Sequence, residues 1–264
     1  MPQVRRCLAV LAALVLCSCA SAVQGGGATS VPGSPAESMA APASQSVGDV
    51  DTAGVVVFAA ASLNKVFPEI APAAYSFDGS SGLVDQLKGG APAEVFASAD
   101  RKNMDKAIEA GLIDGEPVMF ATNHLVLITP ADNPGGITGL DSSLEGRKLV
   151  ICAAEVPCGA ATLKVAEKAG VTLAPVSEES KVTDVLGKVS SGEADAGLVY
   201  ATDATSAGDA VKTFQIPGAD EEPNTYWIAK VKGAGNTEGA DAFIARITGE
   251  GTAVLAKYGF GPAR

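Results

Sequence analysis

The nine residues Val55-Val56-Val57-Phe58-Ala59-Ala60-Ala61-Ser62-Leu63 constrain this chain more than any other stretch. The apolar, β-forming run 55–58 reads as a strand buried on both faces, the kind found in parallel sheets. Three alanines and a serine come next. Leu63, Val66, Phe67 and Ile70 then fall at i, i+3, i+4 and i+7, one face of a helix. Ser62 is therefore expected at the N-cap of a helix that opens at the carboxyl end of a strand, where open α/β sheets bind ligands. Free N–H groups and the positive end of the helix dipole favour an anion at such a place. An ordinary serine cap with no ligand satisfies the same pattern.

The chain begins with Arg5 and Arg6, an apolar run over 8–16 too short to span a membrane as a helix, and Leu16-Cys17-Ser18-Cys19. This is the layout of a secretory signal. Leu16 and Ser18 ahead of Cys19 resemble the lipobox of bacterial lipoproteins. Residues 1–18 are thus expected to be a signal peptide and Cys19 the acylated residue. Ala20-Ser21-Ala22 offers an ordinary cleavage site instead. Residues 19–52 are rich in Ala, Ser, Gly and Pro without apolar periodicity, and read as a flexible, lipid-anchored tether. Residues 53–264 are enough for one large domain or two lobes.

The net charge is −11, and loss of Arg5 and Arg6 with the leader makes it more negative by two. Such a chain should not hold nucleic acid or an anionic membrane surface through charge. Membrane contact is expected only through the lipid anchor. Of five cysteines, only Cys152 and Cys158 lie in the fold, and in an exported protein two nearby cysteines suggest a disulfide. His124 is the single histidine, and no CxxC or HExxH spacing is present, so a metal site is poorly supplied. We read His124 as structural or surface-lying.

Along the chain, Pro68 and Pro72 should leave the first helix short or kinked. Then come a strand over 75–77, a turn at Asp78-Gly79-Ser80-Ser81-Gly82 and a helical face of Leu83, Val84 and Leu87. Ser80 or Ser81 is therefore a second serine at a strand-to-helix junction. Further strands are expected over 93–97, 148–152, 196–200, 211–216 and 226–231. Asp100 should cap a helix running to Ala110, with Gly111 as its stop. The apolar run 118–129 is read as a strand crossing between lobes, with 226–231 crossing back. A loop is expected up to Cys158, then a helix over 159–169. Val182, Val185, Leu186 and Val189 mark another helix, and 239–255 a helix in two pieces. Alternating strands and helices argue for an α/β fold with mainly parallel sheets.

Six segments together resemble the molybdate-binding proteins of ABC transporters. They are Phe58-Ala59-Ala60-Ala61-Ser62-Leu63, Phe77-Asp78-Gly79-Ser80-Ser81-Gly82-Leu83, the run 90–100, Val156-Pro157-Cys158-Gly159, the run 197–204 and the closing 255–260. The resemblance spans nearly all of 54–262. It implies a periplasmic-binding-protein-like (type II) α/β fold, two lobes joined by two crossing strands. Lobe one would be 53–122 with 223–264, and lobe two 123–222. It implies molybdate or tungstate held by Ser62 and Ser80 from lobe one, by the backbone N–H groups of Cys158 and Val182, and by the Tyr200 hydroxyl. The segment between Ser62 and Ser80 is shorter than in relatives, which keeps Ser81 open as the second serine. It further implies no catalytic residue, no cofactor, and no metal beyond the oxyanion itself. The partners would be ABC permease and ATPase subunits, and the protein a monomer on the outer face of the cell membrane, or periplasmic or secreted if unanchored.

The donor set fits the ligand chemically. A tetrahedral oxyanion offers acceptors only, so its site needs donors only. Hydrogen bonds to a charged group contribute roughly 1.5–3 kcal/mol each, and neutral donors leave no full charge to bury when the site is empty. Another oxyanion such as sulfate or phosphate suits the same chemistry. A secreted serine hydrolase using Ser62 or Ser80 would need His124, and no GxSxG elbow is present. A surface lipoprotein without a ligand is the remaining reading.

Overall fold

A computed structural model describes residues 50–263. The expected signal peptide, the expected acylation site Cys19 and the expected tether as far as residue 49 lie outside the described residues. The first part of the chain forms β1 (Val56–Ala60), α1 (Phe67–Ile70), β2 (Ala74–Asp78), α2 (Ser80–Lys88), β3 (Val95–Ser98), α3 (Arg101–Glu109) and β4 (Ile113–Asn123). The middle forms β5 (Leu125–Pro130), β6 (Leu149–Cys152), α4 (Pro157–Ala169), β7 (Pro175–Glu179), α5 (Val182–Ser190), β8 (Ala196–Tyr200), α6 (Ala201–Ala207) and β9 (Val211–Gln215). The chain then returns through β10 (Asn224–Val231), α7 (Thr237–Thr248), α8 (Gly251–Lys257) and β11 (Gly261–Pro262).

These strands make two sheets, in the orders β11-β4-β10-β3-β1-β2 and β7-β6-β8-β5-β9. β1 is apolar because neighbours pair with it on both edges and helices cover both faces. On one face Phe67, Phe243, Ile247 and Leu255 pack with Val57 and Ala59. On the other, Leu83, Val84, Leu87 and Met104 pack with Phe58 and Phe96. The second sheet has its own core, with Val182, Val185 and Val189 of α5 against Leu127, Val150 and Leu198. Ala61, just beyond β1, belongs to this second core.

The chain passes between the sheets twice. β4 ends at Asn123 and β5 starts at Leu125, so one extended run serves both sheets around His124. The return runs through residues 216–223 into β10. Asn123 and Asn224 are register partners where β4 meets β10, and Leu125 pairs Tyr200 where β5 meets β8.

The structure differs from the sequence expectations at definite places. The sheets are mixed rather than mainly parallel. β1, β2 and β3 run parallel, as do β6, β7 and β8, but the strands that enter and leave each sheet pair antiparallel. A chain that crosses out and back must reverse direction. Ser62 is not an N-cap: it lies inside a 3₁₀ turn, Ala61–Leu63, and α1 is only four residues long. Pro68 at the start of that segment removes an N–H, which is tolerated only in a first turn. α4 starts at Pro157, so Cys158 stands in its first turn rather than in a loop. β7 has no counterpart among the expected strands, because an edge strand half open to solvent carries the polar sequence Pro-Val-Ser-Glu-Glu. Asp100 caps α3 as expected, its carboxylate accepting from the Asn103 N–H at 2.8 Å.

Candidate functional site

At the carboxyl end of β1 the two sheets face a small cavity, lined from one side by Ser62, Gly79, Ser80 and Ala99 and from the other by Val156, Cys158, Val182 and Tyr200. All five residues singled out from the sequence, Ser62, Ser80, Cys158, Val182 and Tyr200, line it. Ser81, one residue into α2, does not.

Each of these residues is placed by local structure. Ser62 comes just after β1 and is 7% exposed, and its Oγ lies 2.9 Å from the Tyr226 Oη. Ser80 is the first residue of α2, and its Oγ accepts from the Ala99 N–H at 3.0 Å. Cys158 and Val182 stand in the first turns of α4 and α5, where N–H groups have no acceptor within the helix. Cys158 is joined to Cys152 by a disulfide, which ties that first turn to the end of β6. Gly159 allows the same close approach, since a Cβ there would lie 1.9 Å from the Ala153 carbonyl oxygen. Tyr200 ends β8, is 1% exposed, and its Oη accepts from Asn224 Nδ2 at 2.9 Å. Burial holds its hydroxyl well above its ordinary pKa, so it is a proton donor at any physiological pH.

Among the described residues, no lysine or arginine lines this cavity, and its one charged lining residue is Asp78, which lies in the second family-like segment but was not among the expected site residues. Asp78 accepts from the Gly79 N–H at 2.8 Å and from Gln86 Nε2 at 3.1 Å, so both carboxylate oxygens are engaged by their own loop and by α2. The halves touch at the rim. A Cβ on Gly79 would lie 2.1 Å from the Ser180 carbonyl oxygen, across the cleft. A larger groove runs beside the site, lined by Lys102, Lys164 and His124 among others. His124 lines that groove and not the small cavity, and among the described residues no hydrogen bond joins it to Ser62 or Ser80, so the serine–histidine pair a hydrolase needs is not formed.

Sequence reasoning also missed Asn123, Asn224, Tyr226 and Asp203. Asn224 and Tyr226 open a strand recognised as a crossing one, and polar residues at the start of an otherwise apolar strand were the available signal. Asp203, in the first turn of α6, is 6% exposed and accepts from the Tyr200 N–H at 3.3 Å. Burial pushes its carboxyl up to about 7 against the pull of that hydrogen bond. The unfolded chain releases this proton near pH 4, the folded chain near pH 7. Because the folded form holds the proton longer, stability falls as pH rises through that window and is level above it. In Asp203→Asn that part of the fall should vanish. Urea unfolding at about pH 5 and about pH 8 measures it; equal pH dependence in wild type and variant would contradict the assignment.

Two helix-flanked sheets, two chain crossings and a small cavity between the sheets lined by hydroxyls and helix first turns define a two-lobed solute-binding protein. The chain belongs to the bacterial extracellular solute-binding protein family, whose model matches residues 55–261. It is 42% identical over 232 residues to the molybdate-binding protein ModA of Mycobacterium tuberculosis, which covers 83% of this chain and 89% of that protein. To the protein of the same name in Escherichia coli it is 31% identical over 231 residues, covering 80% and 90%. Its fold matches the periplasmic molybdate-binding protein of Azotobacter vinelandii with a TM-score of 0.70, at 21% identity, over 80% of this chain and 100% of that one. The type II periplasmic-binding-protein fold expected from the sequence is thereby present.

Proposed function

We propose that this protein captures molybdate, or tungstate, between its lobes outside the cytoplasm and delivers it to the permease and ATPase subunits of an ABC importer. The observation that carries this reading is the lining of the small cavity. Three neutral hydroxyls and the free first turns of two helices converge there without a cation. Ser62 and Ser80 donate from lobe one, the Cys158 and Val182 N–H groups and the Tyr200 hydroxyl from lobe two. The relatives named for molybdate binding support the choice of anion. The closing units are 53–122 with 223–264, and 123–222, since each holds one of the two sheets. The protein works as a monomer, performs no chemistry on its ligand, needs no cofactor, and is held to the membrane through an acylated Cys19.

A ligand that binds only the folded protein raises its unfolding temperature. Molybdate and tungstate should each give a clear rise at concentrations where sulfate and phosphate give little or none. A rise with sulfate equal to that with molybdate would overturn the choice of anion. No rise with any of the four would overturn the oxyanion reading altogether.

A further inference from the structure

Every hydroxyl in the cavity is met from behind by a group that gives it a hydrogen. Ser80 Oγ faces the Ala99 N–H, which has no other capacity than to donate. Tyr200 Oη lies 2.9 Å from Asn224 Nδ2, and the same nitrogen lies 3.1 Å from the Ala99 carbonyl oxygen. A carbonyl only accepts, so the Asn224 amide must present its NH₂ on this side. That fixes Tyr200 Oη as the acceptor and frees its proton. The Ser62–Tyr226 pair, 2.9 Å apart, has no direction by itself. Asn123 supplies one. Its Oδ1 accepts from the His124 N–H at 3.0 Å, which turns Nδ2 toward Thr202 Oγ1 at 2.8 Å and Tyr226 Oη at 3.5 Å. With an amide N–H on its oxygen, Tyr226 sends its proton to Ser62, and the Ser62 proton is left over.

We infer that Asn224 and Asn123 are positioning residues that aim the hydroxyl protons of Tyr200 and Ser62 into the cavity, making both hydroxyls donors toward a ligand. The inference rests on the oxyanion reading above and adds which side chains impose its polarity. The two asparagines are register partners at the points where the chain passes between the sheets. Asn224 bridges the Ala99 carbonyl, beyond β3 in the first sheet, to Tyr200 at the end of β8 in the second. The donor set is therefore wired at the crossings themselves. An oxyanion that carries an O–H finds no acceptor among these hydroxyls, and the Asp78 oxygens are already held by Gly79 and Gln86.

A double-mutant cycle separates this role from a merely structural one. In calorimetry with molybdate, Asn224→Ala alone should weaken binding about tenfold. In a Tyr200→Phe background it should cost less than about threefold, because the hydroxyl it orients is gone. Asn224→Asp replaces the donor by an acceptor, so the Tyr200 proton turns back toward it. The ratio of molybdate to hydrogen phosphate affinity should then drop at least about tenfold. Full additivity in the cycle, or an unchanged ratio, would overturn the inference. Should Asn224→Ala fail to fold, the cycle of Asn123→Ala with Ser62→Ala asks the same question of the other asparagine: a reduced effect of Asn123→Ala in the Ser62→Ala background is expected, and full additivity would overturn the inference. Wild type that binds no oxyanion defeats the underlying reading, whereas wild type that binds molybdate with additive cycles defeats this inference alone.

Discussion

Gly79→Ala weakens molybdate binding by at least about a hundredfold and leaves the unfolding temperature of the ligand-free protein nearly unchanged. This expected result stems from one close approach. A Cβ at residue 79 would lie 2.1 Å from the Ser180 carbonyl oxygen and 3.3 Å from Val156 Cγ1. The first is backbone, so no side-chain rotation relieves it. Gly79 has φ −60° and ψ 139°, which alanine adopts freely. The substitution therefore costs nothing within its own lobe and acts only where the lobes meet. A ligand touching both lobes favours the closed form because only there are its acceptors all satisfied. Holding the rim apart removes donors of one lobe from reach, at roughly 1.5–3 kcal/mol each, and two such losses exceed a hundredfold. Calorimetry of the variant beside thermal unfolding without ligand checks both halves. Undiminished affinity would mean that binding does not require the contact at Gly79.

Tyr200→Phe should weaken molybdate binding about tenfold to a hundredfold with little effect on folding. The ring stays, and with it the edge-on packing against Tyr226 at 6.0 Å between centroids. Only the hydroxyl is lost, a buried donor whose acceptor side is already filled by Asn224. Asn224 keeps its bond to the Ala99 carbonyl, so the damage does not spread through the crossing. A titration of the variant under the conditions used for wild type reads the loss directly. Equal affinities would remove Tyr200 from the site.

Local pattern carried much of this architecture. β1 and the small residues after it, the Asp100 cap, the helix breaks at Pro68 and near Gly249, and the pair Cys152 and Cys158 were all legible. Each is decided by residues close together in sequence. The antiparallel pairings of β4, β10 and β5 were not, because direction in a sheet depends on where the chain returns. β7 escaped because its outer edge faces solvent. The residues that line the cavity could be named from motifs, but the hydrogen bonds behind them could not. Ser62 and Tyr226 are 164 positions apart, and Asn123 and Thr202 are 79 apart. Hydrogen bonds of that span leave no local signature, and an asparagine opening a strand looks the same whether or not it sets a tyrosine proton.

The most direct test is a crystal structure of the protein grown with molybdate, with the metal located by its anomalous scattering. The account predicts molybdenum in the small cavity at the end of β1. Its oxygens should lie within hydrogen-bond distance of Ser62 Oγ, Ser80 Oγ, the Cys158 and Val182 nitrogens and Tyr200 Oη. Molybdenum in the groove beside Lys102 and Lys164, or at no ordered position, would contradict it.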